Sequence, residues 1–227
     1  MVVAAHCADD YVVGARLDRP AIFGAGSHYV LLSLVIIGVD LDGVCADVVA
    51  AYRRYVASFR GVDPETLGAV RDYNFSNWGF DRPLTMQDEF YRALEQGMAL
   101  DMPPIAGVST GLKTLAGEGI EIRIITGRLV RSGMYRTALD TISWMRDNEI
   151  TFNDLCFVER KTEVCADVYI DDNPSIINTF LGDGRMVLVF DQPYNQDLDE
   201  RWVRRARSWP DLTKEVLGIY REHVDTS

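Results

Sequence analysis

Five short segments rich in Val, Ile and Leu punctuate the chain, at residues 34–39, 120–125, 155–158, 168–170 and 186–190. Each has the length of a strand buried on both faces. Between them the apolar positions change to helical spacing, at 46–60, 84–98, 108–116, 134–146 and 174–181. In the first of these, Val48, Val49, Tyr52, Tyr55, Val56 and Phe59 form one apolar face, and Gly61 stops it. Strands alternating with helices predict βαβ units: an α/β fold with a Rossmann-like parallel sheet flanked by helices and joined by right-handed crossovers. The stretches 201–207 and 212–220 read as closing helices. From 63 to 100 the texture differs, with Asp63-Pro64-Glu65 opening a short helix and an aromatic loop from Tyr73 to Phe80. The prediction is a small helical cap, about 46–104, inserted after the first strand of a domain spanning 34–227.

Chemistry collects where the apolar segments end. Asp40 and Asp42 follow the first, with Gly43-Val44 behind them, and Asp171-Asp172 follow the fourth. In open α/β sheets the ligand crevice lies beyond the carboxyl ends of the strands, so four carboxylates can meet in one place. Crowded, poorly solvated carboxylates repel one another, and a cation or a shared proton must offset that. Magnesium is the expected cation, held by Asp40, Asp42, Asp171 and Asp172, with Asp42 contributing its backbone carbonyl and Asp171 ligating or orienting. The second segment ends in Thr126-Gly127-Arg128, where the Thr126 hydroxyl and the Gly127 N–H suit phosphate oxygens.

A phosphate monoester needs an in-line nucleophile, a cation, donors for the remaining oxygens and a proton for the leaving alkoxide. Asp40 is the candidate nucleophile and Asp42 the candidate general acid, then base. Lys161 is one of only three lysines against twenty arginines, and its compact ammonium suits a tight carboxylate and phosphate site. Taken singly, a DxDG can be a plain turn or a calcium loop, and an Asp-Asp-Asn-Pro run is a good helix start. The order of the motifs along the chain carries the argument.

Composition narrows the partners. The 227 residues are 48% hydrophobic and 25% charged, an ordinary globule, and the net charge of −11 disfavours long nucleic acid and anionic membranes. The Arg201, Arg204, Arg205, Arg207 cluster is flanked by acids and reads as a solvated helix face. No apolar run reaches membrane-spanning length, and residues 1–33 lack signal-peptide character and read as a flexible leader. Cys7, Cys45, Cys156 and Cys165 show no CxxC spacing, which fits reduced thiols in a cytoplasm; Cys45 is expected as a small buried residue beside the DxDG turn.

The motif order resembles the haloacid dehalogenase-like phosphatase superfamily, matched here by Asp40-Leu41-Asp42-Gly43-Val44, Ile125-Thr126-Gly127, Lys161 and Tyr169-Ile170-Asp171-Asp172. Within it the chain is most similar to the 5′(3′)-deoxyribonucleotidase, or C-type pyrimidine 5′-nucleotidase, family, on residues 38–47, on 160–172 and on Ser208-Trp209-Pro210-Asp211-Leu212. The resemblance implies a helical cap, magnesium, and dephosphorylation of nucleoside monophosphates, with aromatic cap residues enclosing the base. Their nearest counterparts here are Phe75 and Trp78, whose other reading is plain cap-to-core packing. Two positions depart from the family pattern: Val48 replaces an aromatic residue and Gly127 a serine. Alternatives weighed are a phosphatase for another small ester or for a nucleic-acid 3′-phosphate, a receiver-like phospho-acceptor module, and a catalytically silent metal-binding relative. A homodimer is left open.

Overall fold

The computed structural model describes residues 35–80, 83–128, 135–199, 201 and 203–226. The expectation for the leader, and the first residue of the helix predicted from Met134, fall on residues outside that set. The apolar segments form strands β1 (Ile36–Val39), β2 (Glu121–Thr126), β3 (Asp154–Phe157), β4 (Val168–Asp171) and β5 (Val187–Phe190), joined by β6 (Arg204–Ala206). All pair in parallel in the order β3-β2-β1-β4-β5-β6. That is the doubly wound order whose direction reverses beside the first strand, so a crevice opens between the ends of β1 and β4.

Around the sheet lie α1 (Val48–Arg60), α2 (Pro83–Glu95), α3 (Val108–Gly117), α4 (Tyr135–Asp147), α5 (Pro174–Gly182) and α6 (Trp209–Thr226). Alternation along each strand divides the core in two. Ile37, Val39, Ile122, Ile124, Ile170 and Leu188 join one cluster with Leu112 and Leu115 of α3 and Trp209, Leu212 and Val216 of α6. Ile125, Tyr169, Val187 and Val189 join the other with Ile177 and Phe180 of α5. Among the described residues no helix is long and apolar enough to cross a membrane.

The segment between β1 and α3 carries α1, α2 and three short 3-10 turns, Pro64–Leu67, Ser76–Trp78 and Met98–Asp101. Its two ends meet. Ala46 bridges Pro104, the Asp47 N–H donates to Pro103 O at 2.8 Å, and the Ile105 N–H donates to Cys45 O at 2.8 Å. The chain therefore leaves and re-enters the sheet region at one point. Asp47 caps α1 by accepting from the Ala50 N–H at 2.9 Å, and Gly61, at φ +65°, ends it.

Two expectations change. The stretch 201–207 was read as a helix, but Arg204–Ala206 is an edge strand paired with Leu188, Val189 and Phe190. A strand of three residues is too short to show alternation against four arginines, and what holds it is an ion pair: the Arg205 guanidinium donates to Asp191 at 2.8 Å and to Asn195 Oδ1 at 2.6 Å. On α1, Phe59 is 66% exposed rather than buried. It sits in the last turn, beyond core partners, beside Tyr55 and Phe80 at a small cavity of about 150 Å³. Cys45 and Cys156 are free thiols.

Helix α6 reaches the β1 turn through one side chain. Trp209 is fully buried and its Nε1–H donates to Val44 O at 2.8 Å. It is seated against Gly111 of α3, where a Cβ would come within 2.5 Å of its ring. Gly111→Ala should therefore separate α3 from α6 and lower stability by about 1–3 kcal/mol, the usual cost of overpacking. Urea unfolding of the variant measures it, and a midpoint equal to wild type would show that the ring has slack.

Candidate active site

The turn after β1 is built to carry two carboxylates. Asp40 prolongs the strand pairing by donating its N–H to Ile170 O at 2.9 Å, and the Cys45 and Ala46 N–H groups fold back onto Leu41 O at 2.9 and 2.8 Å. Gly43 adopts φ +80°, and a Cβ there would lie 1.8 Å from Asp172 Oδ2, so only glycine allows the β1 turn and the end of β4 to approach so closely. Its carbonyl accepts from Gln192 Nε2 at 2.7 Å.

Asp40, Asp171 and Asp172 each bring a carboxylate oxygen to within 4.8 Å of the others, and all three are buried. Lys161, in the 3-10 turn Lys161–Glu163 after β3, places its ammonium 2.7 Å from Asp40 Oδ2 and 2.7 Å from Asp171 Oδ2. The other Asp40 oxygen accepts from the Leu41 N–H at 2.7 Å, and the other Asp171 oxygen from the Asn173 N–H at 2.9 Å. Asp172 is held from behind, its side chain accepting from the Tyr194 hydroxyl and its carbonyl from Asn195 Nδ2 at 2.9 Å.

Three carboxylates against one ammonium leave this buried group formally two charges negative. The protonation behaviour follows. Burial pushes Asp40 up from 3.8 to about 7, opposed by Lys161 and assisted by Asp171 and Asp42. Burial, then Asp40 and Asp171, push Asp172 well above the usual carboxylate range. Burial works against the Lys161 ammonium, but Asp171 and Asp40 outweigh it and raise its pKa. An oxygen-only donor set with a surplus of two negative charges fits one hard divalent cation.

Asp42 stands apart from that cluster. Its carboxylate is turned toward Arg128, whose Nε–H lies 3.0 and 3.2 Å from its two oxygens and whose Nη2 lies 2.5 Å from Oδ1. Of the four carboxylates expected to meet in one place, this one is held instead in a bidentate ion pair. Thr126, at the end of β2, is 1% exposed, and its hydroxyl accepts from the Arg128 N–H at 3.4 Å. Cys45 is fully buried, and burial followed by Asp40 raises its thiol well above the ordinary value, which bears out an inert packing role.

Above these groups lies a cavity of about 400 Å³. Asp40, Asp42, Gly127, Lys161 and Asp172 form its floor, and Phe75, Phe90, Tyr91 and Tyr73 supply aromatic walls. Val48, the departure from the family's aromatic position, lines it too. Asp171 and Thr126 stand behind that surface, Asp171 orienting Lys161. Of the two aromatic candidates, Phe75 reaches the cavity, whereas Trp78 is 1% exposed and packs inside the helical segment, its Nε1–H donating to Gly68 O at 3.2 Å. Phase along the loop decides this: Phe75 adopts φ +53°, a strained conformation for a bulky residue, fixed by its N–H to Asp72 O at 3.0 Å.

Three contributors carried no assigned role in the sequence reading. Arg128 was visible only as the third residue of Thr126-Gly127-Arg128. Tyr194 follows β5, where no motif drew attention. Tyr73 packs edge-to-face on Tyr194 with ring centroids 5.5 Å apart. It keeps 38% of its surface exposed and lines the cavity, where burial and then Asp172 push its hydroxyl pKa up.

The chain matches, over residues 34–220, the family described as 5′ nucleotidase, deoxy (pyrimidine), cytosolic type C protein, NT5C. It belongs to that family. A Chlorobaculum tepidum protein provisionally named a 5′(3′)-deoxyribonucleotidase is 34% identical over 181 residues, covering 78% of this chain and 88% of that one. A Bordetella pertussis protein with the same provisional name is 23% identical over 181 residues, covering 77% and 93%. Among solved structures, a provisionally named Clostridium difficile phosphatase superposes with a TM-score of 0.55 at 14% identity, over 81% of this chain and 98% of that one. A haloacid dehalogenase-like hydrolase from Bacteroides fragilis gives 0.50 at 14% identity, over 79% and 99%. At such identities these structures speak for the fold alone, which is haloacid dehalogenase-like. The NT5C chain is thus a phosphoric monoester hydrolase of nucleotidase type, with a small phosphorylated substrate.

The surplus of buried carboxylate has a thermodynamic consequence in metal-free protein. Between pH 3.8 and about 7 folded Asp40 holds a proton that the unfolded chain releases, so its contribution to stability declines as pH rises through that window. A bound divalent cation reverses the preference. In EDTA the stability gap to the magnesium-loaded protein should widen from pH 5 to pH 8, as read from paired thermal melts; a gap that is constant with pH would contradict the charge argument.

Proposed function

We propose that this protein is a magnesium-dependent phosphomonoesterase that acts on (deoxy)nucleoside monophosphates through an aspartyl-phosphate. The observation that carries the reading is the buried set of Asp40, Asp171 and Asp172 around Lys161, two negative charges in excess, at the floor of an aromatic-walled cavity. Asp40, Asp172 and the Asp42 carbonyl would hold Mg²⁺, which when bound supplies charge neutralisation for the phosphate oxygens.

The chain's own groups do the rest. One Asp40 carboxylate oxygen attacks phosphorus, and the bond from phosphorus to the ester oxygen breaks as that oxygen takes a proton from Asp42, which enters this step protonated on the cavity-facing edge that Arg128 leaves free. The products are the free nucleoside and an acyl phosphate on Asp40. Asp42, now ionised, removes a proton from a water that attacks the same phosphorus, which frees inorganic phosphate and restores both carboxyl groups. Lys161 stays between Asp40 and Asp171, where it holds the nucleophile's orientation and faces the transferred oxygens. Gly127 offers its N–H to a remaining oxygen, and Thr126, behind the cavity surface, holds the turn that presents it.

Substrate class rests on the walls. Phe75, Phe90 and Tyr91 present ring surface over the carboxylates, and stacking of a base on such rings contributes on the order of 1–3 kcal/mol. Trp78 is left out of this role. The bridge between Ala46 and Pro104 supports reading 46–104 as a cap hinged at one place, and the family's descriptor supports a cytoplasmic location.

Asp40→Asn should abolish phosphate release from aryl phosphate and nucleotide alike while the fold persists by circular dichroism; near-normal turnover would remove Asp40 as nucleophile. EDTA should silence the wild type and Mg²⁺ restore it. Against a panel of nucleoside 5′- and 3′-monophosphates and sugar phosphates, a clear preference for sugar phosphates would overturn the nucleotide assignment.

A further inference from the structure

We propose that Arg128 is a positioning residue that fixes the carboxylate plane of Asp42 and thereby sets where the leaving group is protonated; this rests on the mechanism proposed above. The Arg128 side chain is 0% exposed, whereas that of Asp42 keeps 21% of its surface open toward the cavity. The front of the guanidinium is given to Asp42, with Nε and Nη2 bonding across both carboxylate oxygens. Its rear is anchored by Nη1 donating to Thr141 Oγ1 of α4 at 3.1 Å, and by Nη2 lying 3.0 Å from Met102 Sδ at the exit of the helical segment. Its own backbone N–H is tied to Thr126 at 3.4 Å.

This is an expensive arrangement for a surface-facing carboxylate. A fully desolvated guanidinium persists only when its donors are satisfied, and here they are satisfied by one acid and by groups that hold the arginine still. Arg128 borders the cavity, but its side chain keeps no exposed surface and its donors are taken by Asp42, Thr141 and Met102, so its effect on the reaction passes through Asp42. An unclamped aspartate samples several staggered side-chain wells. A planar fork bonded to both oxygens selects one and leaves the open edge of the carboxylate facing the cavity. The residue that must meet the ester oxygen is thereby held ready by three separate pieces of the fold: the end of β2, α4 and Met102.

Leaving-group dependence separates this role from simple support. For this mechanism kcat/KM reports formation of the aspartyl-phosphate, where a p-nitrophenolate departs without a proton but a nucleoside alkoxide does not. Arg128→Lys keeps the charge and loses the fork. With Mg²⁺ present, it should lower kcat/KM for a deoxynucleoside 5′-monophosphate on the order of 100-fold, the scale of general acid catalysis, and for p-nitrophenyl phosphate only several-fold. Thr141→Val, which removes the rear anchor alone, should shift the ratio in the same sense by a smaller factor. Equal losses on both esters, or an unchanged ratio, would overturn the positioning role. If Arg128→Lys fails to fold by thermal melt, the ratio in Thr141→Val decides, and a wild-type ratio there overturns the proposal. A wild type that releases phosphate from neither ester would sink the underlying mechanism and this inference with it, whereas equal losses in the variants sink the inference alone.

Discussion

Charge imbalance beneath the cavity is the constraint from which the rest of the site follows. Asp40, Asp171 and Asp172 are all nearly inaccessible to water, and one ammonium, Lys161, serves two of them. Left alone, such a group resolves itself by taking up protons, which is why burial drives Asp40 and Asp172 upward. A divalent cation would resolve it differently, by leaving the carboxylates ionised, as the proposed nucleophilic role of Asp40 requires. The sheet makes the confrontation unavoidable. Asp40 ends β1 and Asp171-Asp172 end its neighbour β4, and Gly43 removes the side chain that would have kept the two turns apart.

How much of this could be read from the chain depends on how local each signal was. The apolar strands and the acids at their ends are local, since a buried parallel strand must be apolar and its terminal loop is the first place a charge fits. Asp40, Asp42, Lys161, Asp172 and Thr126-Gly127 could therefore be selected before any coordinates. Arg128 was in view but uninterpretable, because its partner Asp42 lies 86 residues away and nothing in a Thr-Gly-Arg triplet says whether the arginine faces phosphate, solvent or an acid. The edge strand β6 was hidden for another reason. Its three residues show Arg204 exposed and Ala206 buried, a pattern too brief to outweigh the helical spacing around it.

The aromatic loop shows a different limit. Phe75 and Trp78 are equally plausible wall residues by composition, and spacing cannot rank them. The ranking comes from the left-handed backbone at Phe75, which sends its ring toward Tyr52 at 5.4 Å and Tyr194 at 6.3 Å and leaves Trp78 to pack behind at 4.9 Å. Strain at a bulky residue is tolerated only where surrounding bonds over-determine it, and here Asp72 does so, accepting at its side chain from the Asn74 and Ser76 N–H groups at 3.0 and 3.3 Å.

These contacts separate the chemistry from the choice of substrate. The carboxylates, Lys161 and Gly127 belong to strand ends or to turns bonded to them, and they cannot move without disturbing the sheet. Phe75, Phe90 and Tyr91 belong to the segment between Ala46 and Pro104, whose two ends meet the sheet region at one backbone bridge and which otherwise packs on it through side chains, so it contributes no strand to the sheet. One contact between the two links wall to floor directly: Tyr73 rests edge-on against Tyr194, and Tyr194 in turn bonds Asp172. Through that pair the aromatic wall rests on the hydrogen bond that orients Asp172, while the charge surplus that defines the floor belongs to the strand ends and to Lys161 alone.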